Sequence, residues 1–122
     1  SLPDFPADGG QLTQAVLNLM RNAWQACGEG GRISLRTRVL RQFTVGGSRH
    51  KLVCALQVID DGPGVSEELL PMLFLPMVTG NAKGTGLGLS IAQRIANQHG
   101  GLIQVQSEPG NTCFTLLLPM EI

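Results

Sequence analysis

Val58-Ile59-Asp60-Asp61-Gly62-Pro63-Gly64-Val65 is where this 122-residue chain changes character. An apolar run ends in two carboxylates and then turns through two glycines and a proline. Upstream, 52–59 is apolar enough for a strand buried on both faces. Before it, Ile33, Leu35, Thr37 and Val39 alternate with Arg32, Ser34, Arg36 and Arg38, the period of a half-exposed strand. Gly46-Gly47 supplies the turn, so 32–59 is a predicted hairpin. Farther back, Leu12, Ala15, Val16, Leu19, Met20, Ala23, Ala26 and Cys27 recur at helical spacing, which predicts a helix over 9–27. Gly28, Gly30 and Gly31 stop it. Downstream, Ser66-Glu67-Glu68 is the N-cap signal of a short helix ending near Phe74. Residues 75–86 read as a loop. Leu87, Ile91, Ala92, Ile95 and Ala96 open a second long helix, closed by Gly100-Gly101. A strand over 102–106, a turn at Pro109-Gly110-Asn111 and a strand over 113–118 complete the chain. The pattern is an α/β (α+β) two-layer sandwich: a mixed, mainly antiparallel sheet with helices on one face, as a single domain over 1–122.

Composition narrows the function. Nine Lys+Arg balance nine Asp+Glu, so no bulk positive charge is available to hold nucleic acid. Aromatic residues are 4% and Tyr is absent, which argues against stacking on single strands. No apolar run reaches the roughly 20 residues of a membrane span, and no signal-peptide layout opens the chain. Cys27, Cys54 and Cys113 are odd in number and widely spaced. They read as small hydrophobes in a reducing, cytoplasmic compartment rather than as a zinc or redox site. Glycine, at 16 residues, is roughly twice its average usage. That excess means turn chemistry or close approach of the backbone to a ligand.

Three segments carry chemistry. Asn18 and Asn22 lie one turn apart on the first helix, at the border of its apolar stripe, where two amides need a partner or water. Asp60-Asp61-Gly62-Pro63-Gly64 is a strand-end turn, or a carboxylate aimed into a pocket whose backbone a ring can approach. Gly84-Thr85-Gly86-Leu87-Gly88 precedes a helix, and its bare N–H groups at a positive dipole end make a phosphate cradle. The spacing is neither the dinucleotide fingerprint nor a Walker loop.

In this order the three segments resemble the ATP-binding domain of histidine kinases, in the superfamily shared with gyrase, mismatch-repair ATPases and heat-shock chaperones. Asn18/Asn22 match its N box, Asp60-x-Gly62-x-Gly64 its G1 box and Gly84-x-Gly86-x-Gly88 its G2 box. Leu73-Phe74-Leu75-Pro76 looks like the F box, and Pro109-Gly110-Asn111-Thr112-Cys113-Phe114 like the final box. The likeness runs from about residue 8 to Pro119. The basic hairpin, the loop over 76–83 and the string 73–80 look most like nitrogen-regulation sensor kinases.

The resemblance implies a set of roles. Asp60 accepts from the adenine amino group and repels the guanine carbonyl. Gly62 and Gly64 let the backbone and an ordered water reach the ring, and Thr112 binds the same edge or that water. Asn22 offers its amide oxygen to Mg²⁺, and Asn18 supports metal or phosphates. Gly84, Thr85, Gly86, Leu87 and Gly88 cradle the phosphates of ATP, with Lys83 beside them as a point charge. Phe74 belongs to the F box beside the nucleotide. The acceptor histidine would lie on a separate dimerisation domain, and a response regulator, with room for a regulatory signalling protein, would complete the partners. Neither His50 nor His99 has the sequence context of an acceptor. Nucleic acid and membrane are not expected partners.

Departures from the family pattern bear on mechanism. Where many histidine kinases carry Lys or His after the second N-box Asn, this chain has Gln25. Asn111 stands where Gly is usual, in a turn that Asn tolerates. A strand and helix that usually precede the N box are missing, which implies a domain shortened at its N-terminus. Leu17 and Trp24, off the main stripe, are then expected to pack under such a segment. ATPase relatives have a Glu at the position of Asn18; an amide is no general base, so ATP would be held rather than hydrolysed. Two other readings are a non-catalytic nucleotide sensor and a serine kinase of the anti-sigma type. Residues 76–86, with few apolar anchors, are expected to order around a nucleotide. Six of the nine positive charges fall at Arg32, Arg36, Arg38, Arg41, Arg49 and Lys51. They form either a solvated strand face or a docking surface for an acidic partner.

Overall fold

A computed structural model describes residues 9–74 and 88–120 of the chain. Helix α1 (Gly9–Cys27) leads to strands β1 (Ile33–Val45) and β2 (Ser48–Asp60). A single 3-10 turn follows at Leu70–Met72, then α2 (Gly88–Gln98), β3 (Leu102–Glu108) and β4 (Asn111–Pro119). The four described strands lie in the order β1-β2-β4-β3. All three pairings are antiparallel, so the parallel component left open by a mixed sheet does not occur among them.

Period-2 alternation decides which side chains meet the helices. Cys54 and Val58 of β2, Phe114, Leu116 and Leu118 of β4 and Ile103 of β3 join Ala15, Leu19 and Ala23 of α1 and Leu89, Ala92, Ile95 and Ala96 of α2 in one core. Phe114 is fully buried at the centre and meets Phe74 edge-on, ring centroids 6.3 Å apart at 87°. A smaller cluster of Val45, Val53, Ala55 and Leu117 lies on the opposite face of the sheet, with Phe43 and Leu40 against it.

The helix ends follow the glycines. Gly28, at φ +65°, ends α1, and its N–H donates to the Trp24 carbonyl at 3.1 Å. At the end of α2, Gly100 takes φ +76° and the Gly101 N–H reaches back to the Ala96 carbonyl at 2.8 Å, a Schellman closure. The His99 Nδ1–H donates to the Ile95 carbonyl at 2.9 Å, capping a carbonyl of the last turn.

Three expectations are corrected. The short helix over 66–74 shrinks to turns and one 3-10 turn, because Pro71 has no N–H for an α-helical bond. The Ser66 N-cap signal survives as a turn, Ser66 Oγ accepting from the Leu69 N–H at 3.3 Å. The hairpin strands are 13 residues each, longer than their apolar runs, since polar Thr44 and Arg49 still pair near the tip. The left-handed residue of the last turn is Gly110 (φ +85°), while Asn111 already pairs with Glu108 in the sheet. The tolerance of Asn for that conformation is therefore not called upon.

Leu17 and Trp24 stand 49% and 73% exposed on α1, and Leu35 and Val39 are exposed on β1. No described segment covers them. No helix among the described residues is long and apolar enough to cross a membrane.

Candidate functional site

Asp60 is the last residue of β2, paired in register with Ile33 on one side and Thr112 on the other. Its side chain shares the helix-facing side with Val58 and is only 2% exposed. The Gly62 N–H donates to Oδ1 at 2.9 Å. Oδ2 is buried with no hydrogen-bond partner among the described residues. Burial pushes the carboxyl above the usual carboxylate range; the Gly62 N–H partly opposes this, and the charge of Asp61 adds to it. A buried acceptor kept short of donors is a costly arrangement, and in a native site it points to an external donor.

The adjacent Asp61 has a different fate. Its exposed side chain accepts from the Arg32 N–H at 2.9 Å, closing the hairpin base. The first carboxylate faces the interior and the next is structural, because successive residues along extended backbone point to opposite faces.

Gly62 and Gly64 were expected to admit a ligand, and the protein itself also demands them. A Cβ on Gly62 would stand 2.9 Å from both the Ala26 carbonyl oxygen and Asp60 Oδ1. Gly64 has φ +88°, and a Cβ there would be 3.0 Å from the Glu108 carbonyl oxygen. The Gly110 N–H donates to the Gly62 carbonyl at 2.9 Å, tying the β3–β4 turn to this loop.

Helix α1 spans the site. Asn18, Asn22 and Ala26 follow one another a turn apart on a single ridge. Asn18 Nδ2 donates to the Gly88 carbonyl at 3.2 Å, in the first turn of α2. Ala26 lies against Gly62. Asn22, half-buried, lies between them. Eight residues of helix make the ridge about 12 Å long, from the carboxylate end to the helix N-terminus. Asn18 thus uses its amide nitrogen to position α2.

Thr112 is 3% exposed, opposite Asp60 on the neighbouring strand. Its Oγ1 is 2.7 Å from Ser107 Oγ, which also accepts from the Val65 N–H at 2.8 Å. Ser107 was not singled out in the sequence. The available signal was a hydroxyl at the position where β3 should place an apolar residue, two after Val105 and four after Ile103. Phe74 is half-buried against the core. Lys83, Gly84, Thr85, Gly86 and Leu87 lie outside the described residues, as does the expected loop over 75–86. Among the described residues no group of three His, Cys, Asp or Glu side chains could hold a metal ion.

Comparison with known proteins gives a consistent result. The chain is 50% identical over 121 residues to the sensory histidine kinase/phosphatase NtrB of Salmonella typhimurium, covering 98% of this chain and 35% of that protein. It is 42% identical over 123 residues to NtrB of Rhodobacter capsulatus, with 98% and 35% covered. The chain thus spans about a third of the length of these relatives. Among solved structures, the nucleotide-free catalytic domain of the histidine kinase ThkA superposes with a TM-score of 0.78 at 31% identity, over 93% of this chain and 69% of that one. Full-length ShkA, solved in complex with AMPPNP, gives 0.76 at 31% identity, over 98% of this chain and 23% of that one. Residues 7–122 match the family model, so the chain belongs to the histidine kinase-, DNA gyrase B- and HSP90-like ATPases.

Proposed function

We propose that this chain is the catalytic, ATP-binding domain of a two-component sensor histidine kinase. It would bind MgATP and donate the γ-phosphoryl group to a histidine on a separate dimerisation domain. The observation that carries the reading is the α1 ridge, with a buried, under-partnered carboxylate at one end and a helix N-terminus at the other. That layout suits a ligand with a hydrogen-bond-donating ring at one end and negative charge at the other. Family membership and the NtrB relatives support it.

In this reading Asp60 Oδ2 accepts from the exocyclic amine of adenine, and Thr112 faces the same ring edge. The Asn22 amide oxygen is a hard ligand and suits Mg²⁺, which is typically held mostly by phosphates and water and so needs no acidic cluster here. Bound Mg²⁺ would neutralise charge developing on the phosphates. The α2 N-terminus and its glycine N–H groups, with Lys83, hold the phosphates. Asn18 fixes α2 and cannot take a proton from water, so the γ-phosphoryl is kept for its protein acceptor. The rest is positioning and charge stabilisation.

The partners follow from the same reading: the dimerisation domain carrying the histidine, a response regulator and a regulatory signalling protein, in the cytoplasm and in nitrogen regulation. The exposed arginines of β1 are their candidate docking surface. A nucleotide titration with and without Mg²⁺, then labelled ATP plus the purified histidine domain, tests the assignment. Acid-labile label on histidine is expected. ATP binding without transfer would leave a nucleotide sensor, and acid-stable label would indicate a serine kinase.

A further inference from the structure

The face of the sheet turned away from the helices carries a cleft of its own, and none of its lining residues belongs to the nucleotide site. Strand register lays out its floor. Arg36 pairs with Gln57, Gln57 with Thr115 and Thr115 with Gln104, so these four side chains form one row across all four strands. The next row is Arg38, Ala55, Leu117 and Leu102. Ala55 is small and leaves a depression beside Gln57, walled by Leu40, Phe43 and Leu117. Phe43 reaches this face because Gln42 takes φ +51°; strict alternation would place it with Arg41, on the helix side. The cleft encloses about 180 Å³. That is well below the ~300–1,000 Å³ of cofactor sites and suits a ligand of roughly six to ten non-hydrogen atoms.

Two features define the chemistry of an occupant. Gln57 Nε2 is 3.5 Å from Thr115 Oγ1, the outer limit of a hydrogen bond, and its Oε1 is buried with no partner among the described residues. Turning the amide over exchanges its two ends and still leaves one of them unpaired. A buried amide end without a partner is costly. The terminal torsion of Gln is soft, so the amide can swing toward an occupant. A primary carboxamide carries donor and acceptor side by side and matches either orientation. The second feature is charge. Arg38 lines the cleft and Arg36 adjoins it in the floor row. The one acid among the strand residues of this face is Glu108, about 20 Å along β3 from the Arg38 row, where salt screens it. The arginines are thus free to take a carboxylate. We propose that this cleft is a second binding site, for a small carboxylate bearing a carboxamide. The carboxylate pairs with Arg38, the carboxamide with Gln57, and the carbon chain between them lies on Ala55 and Phe43. The site stands independently of the ATP-binding reading.

The test titrates the isotope-labelled whole chain with succinamate, succinate and butyramide and follows it by NMR. Succinate replaces the carboxamide of succinamate by a second carboxylate, and butyramide replaces its carboxylate by a methyl group. Succinamate should shift the Gln57 side-chain amide and the Thr115 N–H saturably, with a Kd on the order of 1 mM. Succinate and butyramide should each bind about tenfold more weakly, the worth of one hydrogen-bonded group. Arg38→Gln should weaken succinamate about tenfold and leave butyramide unchanged. Gln57→Leu should erase the preference for succinamate over succinate. Arg38 is exposed, so Arg38→Gln keeps the fold and the test open should Gln57→Leu fold poorly. No saturable shift up to about 20 mM, or equal affinity for the three compounds, overturns the proposal. Succinamate binding that survives both substitutions unchanged overturns it as well.

Discussion

Asp60→Asn separates what the buried carboxylate does for the ligand from what it does for the fold. Asp60 is 2% exposed, with one oxygen satisfied at 2.9 Å by the Gly62 N–H and the other unpartnered. An Asn has one acceptor where Asp has two. If its oxygen keeps the Gly62 N–H, its NH₂ group confronts the adenine amino group, donor against donor. If it flips, the same clash falls on Gly62. Losing a charged acceptor costs about 1.5–3 kcal/mol, a roughly 10- to 150-fold weaker Kd for ATP. The unliganded fold should respond in the other direction. Burial holds the Asp60 pKa above its unfolded value. The group therefore favours the folded state at low pH, and this contribution fades as pH rises from about 3.9 through the folded-state pKa. Above that window the ionised, buried carboxylate costs stability, so Asp60→Asn should unfold at an equal or higher temperature than wild type at pH 7. ATP affinity of the wild type should rise through the same window as the carboxylate ionises. Calorimetric titration with thermal unfolding on the same samples reads both. A folded Asp60→Asn chain that binds ATP like wild type would refute the assignment, and a large loss of Tm at pH 7 would refute the electrostatic argument.

Other substitutions address neighbouring contacts. Gly62→Ala brings a methyl to 2.9 Å from the Ala26 carbonyl and Asp60 Oδ1; it should cost about 1–3 kcal/mol in denaturant unfolding and weaken ATP together. Phe114→Ala empties the core centre beneath Phe74 and should cost about 3–5 kcal/mol by the same measurement. Reversing Arg36, Arg38 and Arg41 to Glu should leave ATP affinity unchanged but slow association with the partner domain in stopped flow, most at low salt. Unchanged association at low ionic strength would make that charge a solvated face.

Much of this architecture is legible in the sequence, for a local reason. Ala15, Leu19 and Ala23 repeat at the helical period, and Val58 to Asp60 alternate as a strand does, so backbone type and facing follow from neighbours in the chain. The glycine stops of both helices are equally local. Pro71 shows the limit: a good N-cap at Ser66 could not carry a helix through a residue lacking an N–H. The polar hairpin tip shows another, since pairing there is set by register from the apolar stretch, not by its own composition. Ser107 stayed hidden because its meaning is relational. A hydroxyl on β3 becomes part of a site only when the sheet order sets it beside Thr112 and the loop at Val65 folds back onto it. Sequence separation of 42 residues between Ser107 and Val65 leaves no periodic trace.

The core and the site share their contacts. Ala15 and Ala23 of α1 and Ala92 and Ala96 of α2 are all at 0% exposure in one cluster, and such small side chains let the two helices close together. That closeness puts the Asn18 amide within reach of Gly88 and sets where the N-terminus of α2 stands. The other end of α1 is fixed by Ala26 against Gly62, which is itself bonded to Asp60 and to the β3–β4 turn. The ridge of α1 therefore acts as a ruler whose two marks, the Asp60 carboxylate and the N-terminus of α2, are set by these contacts. Catalysis by positioning requires such rigidity, because a displacement near 1 Å can cost on the order of a hundredfold in rate. The alanines and glycines, which carry no chemistry of their own, are what hold Asp60 and Gly88 at a constant separation.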